Sequence, residues 1–119
     1  MISDRIEHPA YDGELDEWLP CKDAEDGFLF IVGTITSDRK QRFADGALMT
    51  TSFIRADLSE LIEGAVIATL NSLYLLRLRA NRPTLDAFVY AASLGGTCLD
   101  GKNQPVTSFT IPTTIGSTD

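Results

Sequence analysis

A chain of 119 residues with 44% apolar and 23% charged side chains is long enough to bury one core and short for two, so the sequence is read as a single domain, 1–119. No apolar run reaches the roughly 18–20 residues that span a bilayer, and the opening MISDRIEHPAYDGE lacks the basic-then-apolar order of a signal peptide, which sets the expected location in the cytoplasm. The net charge of −7 disfavours direct nucleic-acid binding.

That charge is unevenly laid out. Residues 1–27 carry Asp4, Glu7, Asp12, Glu14, Asp16, Glu17, Asp23, Glu25 and Asp26 against Arg5 and Lys22, nine acids against two bases. This acidic N-terminal segment alone equals the whole net charge. Within it, Leu15, Trp18 and Leu19 stand at i, i+3 and i+4 before Pro20, the spacing of a helical turn, and predict a short N-terminal helix. Residues 27–36, GFLFIVGTIT, are rich in β-branched and aromatic side chains and predict a strand, with Gly33 marking a bulge or a close backbone approach.

The Asp45-Gly46 pair predicts a turn into a second strand around Thr50, Thr51, Phe53 and Ile54, antiparallel to the first after a long loop. Residues 57–64, DLSELIEG, fit a short helix with Asp57 and Glu60 in capping-box order and Gly64 as its stop, or a loop with one helical turn. Apolar residues on either side of Asn71-Ser72-Leu73 predict a hairpin or a bulged continuous strand. Alternation puts Tyr74, Leu76 and Leu78 on one face of it and Leu73, Leu75, Arg77 and Arg79 on the other. Pro83 opens the clearest helix, whose apolar stripe is Leu85, Phe88, Val89 and Ala92 and whose stop is Gly95-Gly96. A turn at Asp100-Gly101 precedes a candidate edge strand at 106–111 and a polar end expected to fray. The expected fold is α+β, a small antiparallel sheet of about four to five strands with one packed C-terminal helix and a short N-terminal one. The sheet and helix occupy 28–95, and 96–119 form a tail. Cys21 and Cys98 are expected as buried thiols rather than a bridge.

The run GTITSDRKQRFADG, followed by TTS and then TLNSLYLL, resembles a pattern in small uncharacterised proteins of phages and prophage regions, in which an RF-x-DG…TS turn leads to a T-x-NS-x-Y-x-L strand. The resemblance covers roughly residues 33–76. Read physically, its residues are structural: Gly46 for the turn, Thr51, Ser52, Asn71 and Ser72 for local backbone hydrogen bonds, Phe43 and Tyr74 for packing. What the resemblance implies is an origin in a mobile element, where small acidic proteins are often inhibitors of host defence, of the anti-CRISPR kind.

Catalysis finds little support. His8 is the one histidine and no serine sits in a recognisable nucleophile elbow. Neither paired zinc spacings nor a calcium loop occurs, and Gly95-Gly96 follows a helix instead of opening one onto a phosphate. No catalytic residue, metal or cofactor is expected. The reading reached is a non-enzymatic protein-binding module, monomer or homodimer, in which Asp12, Glu14, Asp16, Glu17, Asp23, Glu25 and Asp26 dock on the basic surface of a host protein, a nucleic-acid-handling complex for example. The alternative is a small-ligand or nucleotide-sequestering protein that holds phosphate oxygens with Arg39, Lys40, Arg42, Arg77 and Arg79.

Overall fold

The structure, a computed structural model, describes residues 11–108. The segment expected to open with a helix is instead the longest strand, β1 at Gly13–Asp23. A β-bulge explains the difference: Asp16 pairs with Thr34 and Leu19 with Val32, so Glu17 and Trp18 together face Gly33. Glu17 takes a left-handed φ of 48°, and the extra residue brings Leu15 and Trp18, three apart, onto one side of the sheet while Leu19 and Cys21 serve the other. A helical spacing thus arises in a strand that is kinked once and buried on both faces. Gly33 is the close approach expected of it, since a Cβ there meets Trp18 Cα and the Asp16 carbonyl oxygen at 3.2 Å.

β2 (Leu29–Thr36) and β3 (Ala47–Thr50) form the expected antiparallel pair. β4 (Val66–Ala68) and β5 (Leu73–Leu76) pair antiparallel, which decides between the two expected arrangements in favour of a hairpin. The sheet order is β3-β2-β1-β5-β4. β5 runs parallel to β1, so the sheet is mixed rather than antiparallel: the first strand, unforeseen, fills the centre and separates the two hairpins. Past β3 the chain stays beside β2 as far as Ile54, which bridges Leu29 on one side and Thr69 on the other. The sheet therefore curls until its edges meet at Ile54. Inside the curl lie Leu15, Trp18, Ile31, Ile35, Met49, Leu61, Ile67, Tyr74 and Leu76.

The outer side of the sheet is covered by α1 (Leu85–Ser93), and β6 (Gly96–Cys98) joins the sheet by pairing antiparallel with the end of β1. Pro20 sits in the central strand where its neighbour changes: Ala80 N–H still reaches the Trp18 carbonyl, and Leu99 N–H already reaches that of Pro20. The missing proline N–H falls near this handover between neighbours. The helix is where residues 85–93 were expected, with the Thr84 hydroxyl accepting from Ala87 N–H and Gly95 at φ 82° beyond its end. Its buried face is different. Ala87 and Ala91 go in, while Leu85, Val89 and Ala92 are exposed, because small side chains let the helix lie close over Phe30, Val32 and Cys98. Cys21 and Cys98 are buried, free thiols directly across the β1–β6 pair, with sulfurs 3.6 Å apart.

Smaller expectations resolve locally. Residues 58–60 form one 3₁₀ turn, and the Asp57 side chain makes no cap. Alternation ends with β5, so Leu78 is exposed and the Arg79 guanidinium lies over the Trp18 ring, 5.2 Å from its centre. The Asp100-Gly101 turn is made, after which Pro105 bridges Leu99 and Val106 N–H reaches the Cys98 carbonyl. The rest of the candidate strand at 106–111, from 109 onward, lies outside the described residues, as does His8.

Candidate binding surface

The seven acids singled out in the sequence fall into two groups at opposite ends of β1. At one end, Asp12 and Asp16 accept backbone hydrogen bonds where the β1–β5 ladder lapses: Leu73 N–H to Asp12 Oδ2 at 2.9 Å and Leu78 N–H to Asp16 Oδ1 at 3.2 Å. Glu14 pairs with Arg77 at 3.0 Å and accepts from the Tyr11 hydroxyl. That bond pushes the Tyr11 phenol above its ordinary pKa, since ionising it would forfeit the donor. Glu17, on the bulge, is exposed. At the other end, Asp23, Glu25 and Asp26 make the β1–β2 turn, and their carboxylate oxygens lie within 4.8 Å of one another. Asp23 Oδ2 accepts the N–H groups of Glu25 at 3.1 Å and Asp26 at 3.0 Å, which fixes the turn. Among the described residues, none of these three carboxylates forms an ion pair. Along a strand of about 3.3 Å per residue, Asp16 and Asp23 stand roughly 20 Å apart. With screening over about 8 Å at physiological salt, the two groups act separately.

The five bases do not gather in one place. Lys40 and Arg42 belong to a lock on the β2–β3 loop, organised by the buried Asp38. Its carboxylate accepts from the backbone of Arg42 at 2.6 Å, Phe43 at 3.0 Å and Lys40 at 3.2 Å, and from the Arg42 guanidinium at 3.2 Å. Burial works against the Asp38 charge, but the Arg42 guanidinium and these N–H donors outweigh it and hold the carboxyl below its ordinary pKa. Arg42 continues to the Ser72 and Tyr74 hydroxyls, and Lys40 Nζ to the Asn71 carbonyl and the Ser72 hydroxyl. Arg39 joins from its backbone, donating to the Asp12 carbonyl. The motif residues from both halves of the 33–76 pattern thus meet in one structural joint. The Thr51 hydroxyl makes the local bond expected of it, donating to the Ser52 carbonyl at 2.8 Å, and also accepts from Ile31 N–H across the sheet. Ser52 likewise accepts from Leu70 N–H.

Arg77 is held by Glu14. Arg79 donates to the Asp100 carbonyl and to Asn103, and its buried Nε has no hydrogen-bond partner among the described residues. Burial lowers the Arg79 pKa from its ordinary value. This arginine and Arg82 line a hollow of about 380 Å³ floored by Leu19, Val32 and Leu48 and bounded by the start of α1.

A third feature was not foreseen. Phe28, Phe53, Leu70 and Leu94 are 54%, 39%, 68% and 50% exposed. Phe28 and Phe53 stack at a tilt with ring centres 5.4 Å apart, and Phe53 also meets the buried Phe30 ring at 6.3 Å. Two hollows of about 370 and 440 Å³ share Phe53 and Leu70. The signal lay in position: Phe28 follows Asp26-Gly27, Leu70 precedes Asn71-Ser72, and Leu94 precedes Gly95-Gly96. An apolar residue beside a turn sits where its element leaves the core, and adding its neighbours across the sheet requires the topology. The acidic turn joins this face on two sides, through Gly27 to Phe28 and through the bond from Ala24 N–H to the Gly95 carbonyl, next to Leu94.

No protein-family model, curated protein or solved structure matches the chain. Among the described residues no helix is long and apolar enough to cross a membrane.

Proposed function

We propose that this chain is a non-enzymatic protein-binding module that docks on the basic surface of a nucleic-acid-handling protein, using the acidic turn at 23–26 as its main electrostatic contact. The observation that carries the reading is the turn itself: three carboxylates within 4.8 Å of one another, in a turn fixed by backbone hydrogen bonds to the Asp23 carboxylate and without an ion-pair partner among the described residues. Such a cluster presents negative charge at a spacing that a groove built for phosphates is suited to receive. Asp12, Glu14 and Asp16 stand at the other end of β1, too far to add to this contact at physiological salt, and their own bonds lie within the sheet. The phage-like pattern in residues 33–76 supports the finer reading, an inhibitor of host defence that occupies such a groove in place of nucleic acid.

The test is competition. The purified chain is added to a host nucleic-acid-handling complex captured with it, in the presence of labelled nucleic acid. Mutually exclusive binding supports the proposal, and a ternary complex with undiminished nucleic-acid affinity overturns it. A second reading, a small-ligand or nucleotide-sequestering protein, draws on the hollow beside Arg79 and Arg82. It ranks second because Lys40, Arg42 and Arg77 are engaged elsewhere.

A further inference from the structure

We propose that the apolar face formed by Phe28, Phe53, Leu70 and Leu94 receives the apolar side chains of a basic, amphipathic segment of a protein partner, with the acidic turn at 23–26 meeting that segment's cationic edge. The inference deepens the docking role proposed above and rests on it. Four exposed apolar side chains from four separate parts of the chain converge here. Scattered exposed hydrophobics are ordinary, whereas a shared pair of hollows around them is the shape of a contact site. Phe53 is the fixed point, since the buried Phe30 ring supports it from below and the Phe28 ring from the side. A ring already held in place loses little freedom on binding.

Charge selects the occupant. Asp23, Glu25 and Asp26 border the face on one side, and Asp57 lines the second hollow together with Arg55, the single base in that lining. A second copy of this chain, also at −7, would bring its own acidic turn against this one, and an anionic lipid surface would be repelled in the same way. A segment with leucine-like side chains on one side and lysine or arginine on the other satisfies both parts of the surface.

The probe is a synthetic helical peptide of leucine and lysine with apolar positions at i, i+3, i+4 and i+7. A scrambled peptide of the same composition and a leucine–glutamate version of the same pattern serve as controls. Binding to the full chain is read by calorimetry across a salt series. The patterned lysine peptide is expected to bind at least about tenfold more tightly than either control, and Leu70→Ser or Leu94→Ser to lose about tenfold, the scale of a buried contact residue. Each variant is checked by circular dichroism, and the two positions lie on different elements, so one poorly folded variant does not decide the result. If the scrambled peptide binds as well as the patterned one and Leu70→Ser is silent, while Glu25→Gln with Asp26→Asn still weakens binding, the apolar site is overturned and electrostatic docking stands. If Leu70→Ser abolishes a salt-independent association that the acidic variants leave untouched, the apolar site stands without the charge reading. Dimerisation of the chain through Leu70, or binding to anionic vesicles in preference to the lysine peptide, would overturn the proposed occupant.

Discussion

Glu17 occupies the position of a β-bulge where the backbone turns left-handed, a conformation that costs a side chain with a Cβ about 1 kcal/mol or more and costs glycine nothing. Its carboxylate is exposed and accepts no hydrogen bond among the described residues. Glu17→Gly is therefore expected to raise stability by about 0.5–1 kcal/mol, whereas Gly33→Ala, whose new methyl group meets the bulge backbone opposite, is expected to lower it by about 1–3 kcal/mol. Urea denaturation of both variants checks the pair; the opposite signs would mean that the bulge is not where the strand kinks. Asp38 is the other residue whose environment dictates a measurable behaviour. Its folded-state pKa lies below the ordinary carboxylate value of 3.8, so the stability it contributes is fully present above that value and is lost as pH falls through the lower, folded one. Asp38→Asn should cost on the order of 2 kcal/mol at neutral pH, from the weakened bonds to Arg42, Lys40 and Phe43. The difference between variant and wild type should shrink below about pH 4, as measured by thermal melts across pH.

At the scale of elements, β2, β3, the β4–β5 hairpin and α1 could all be read from local patterns, because each has apolar runs or stripes bounded by Asp-Gly, Asn-Ser or Gly-Gly. β1 could not. Its bulge placed Leu15, Trp18 and Leu19 at helical intervals, and burial on both faces removed the alternation that marks a strand with one wet side. The alanine face of α1 was hidden for a related reason: a stripe of larger apolar residues looked like the core face, but the sheet beneath accepts only small ones. The meeting of Cys21 and Cys98 depended on β6 pairing with β1, a contact between residues 77 apart. It carries a prediction. These cysteines form a cross-strand pair without mutual backbone hydrogen bonds, since the ladder bonds from Leu99 to Pro20, one pair away, and from Ala24 to Gly95, three pairs away, fall on the alternate positions, and such pairs approach most closely. Diamide, a diazene oxidant reduced to its hydrazine as the two thiols lose their hydrogens, should close a Cys21–Cys98 disulfide in the folded protein. Mass spectrometry would show the loss of two hydrogens, and the unfolding midpoint should rise because closing so long a loop is worth about 4 kcal/mol. Oxidation that occurs only in denaturant would contradict the register of β6.

The acids of 11–26 fall at the two ends of β1, and the way the chain folds decides which of them are available. The acidic N-terminal segment was legible as charge, but its division was not: from residue 11 onward it folds around a central strand, with Asp12 and Asp16 satisfying the neighbouring strand and Asp23, Glu25 and Asp26 forming an open turn beside an apolar face. The bases that the sequence grouped as a phosphate site are likewise separated, with Lys40 and Arg42 holding the loop joint and Arg77 holding Glu14. The proposed docking through the turn is tested by partner affinity across a salt series for wild type, for Glu25→Gln with Asp26→Asn, and for Arg77→Gln, each confirmed as folded by circular dichroism. Wild-type affinity is expected to fall as salt rises, mainly through slower association, the acidic variant to bind more weakly and with less salt dependence, and Arg77→Gln to differ little from wild type. Affinity that ignores both salt and the two carboxylates but collapses on losing Arg77 would contradict it.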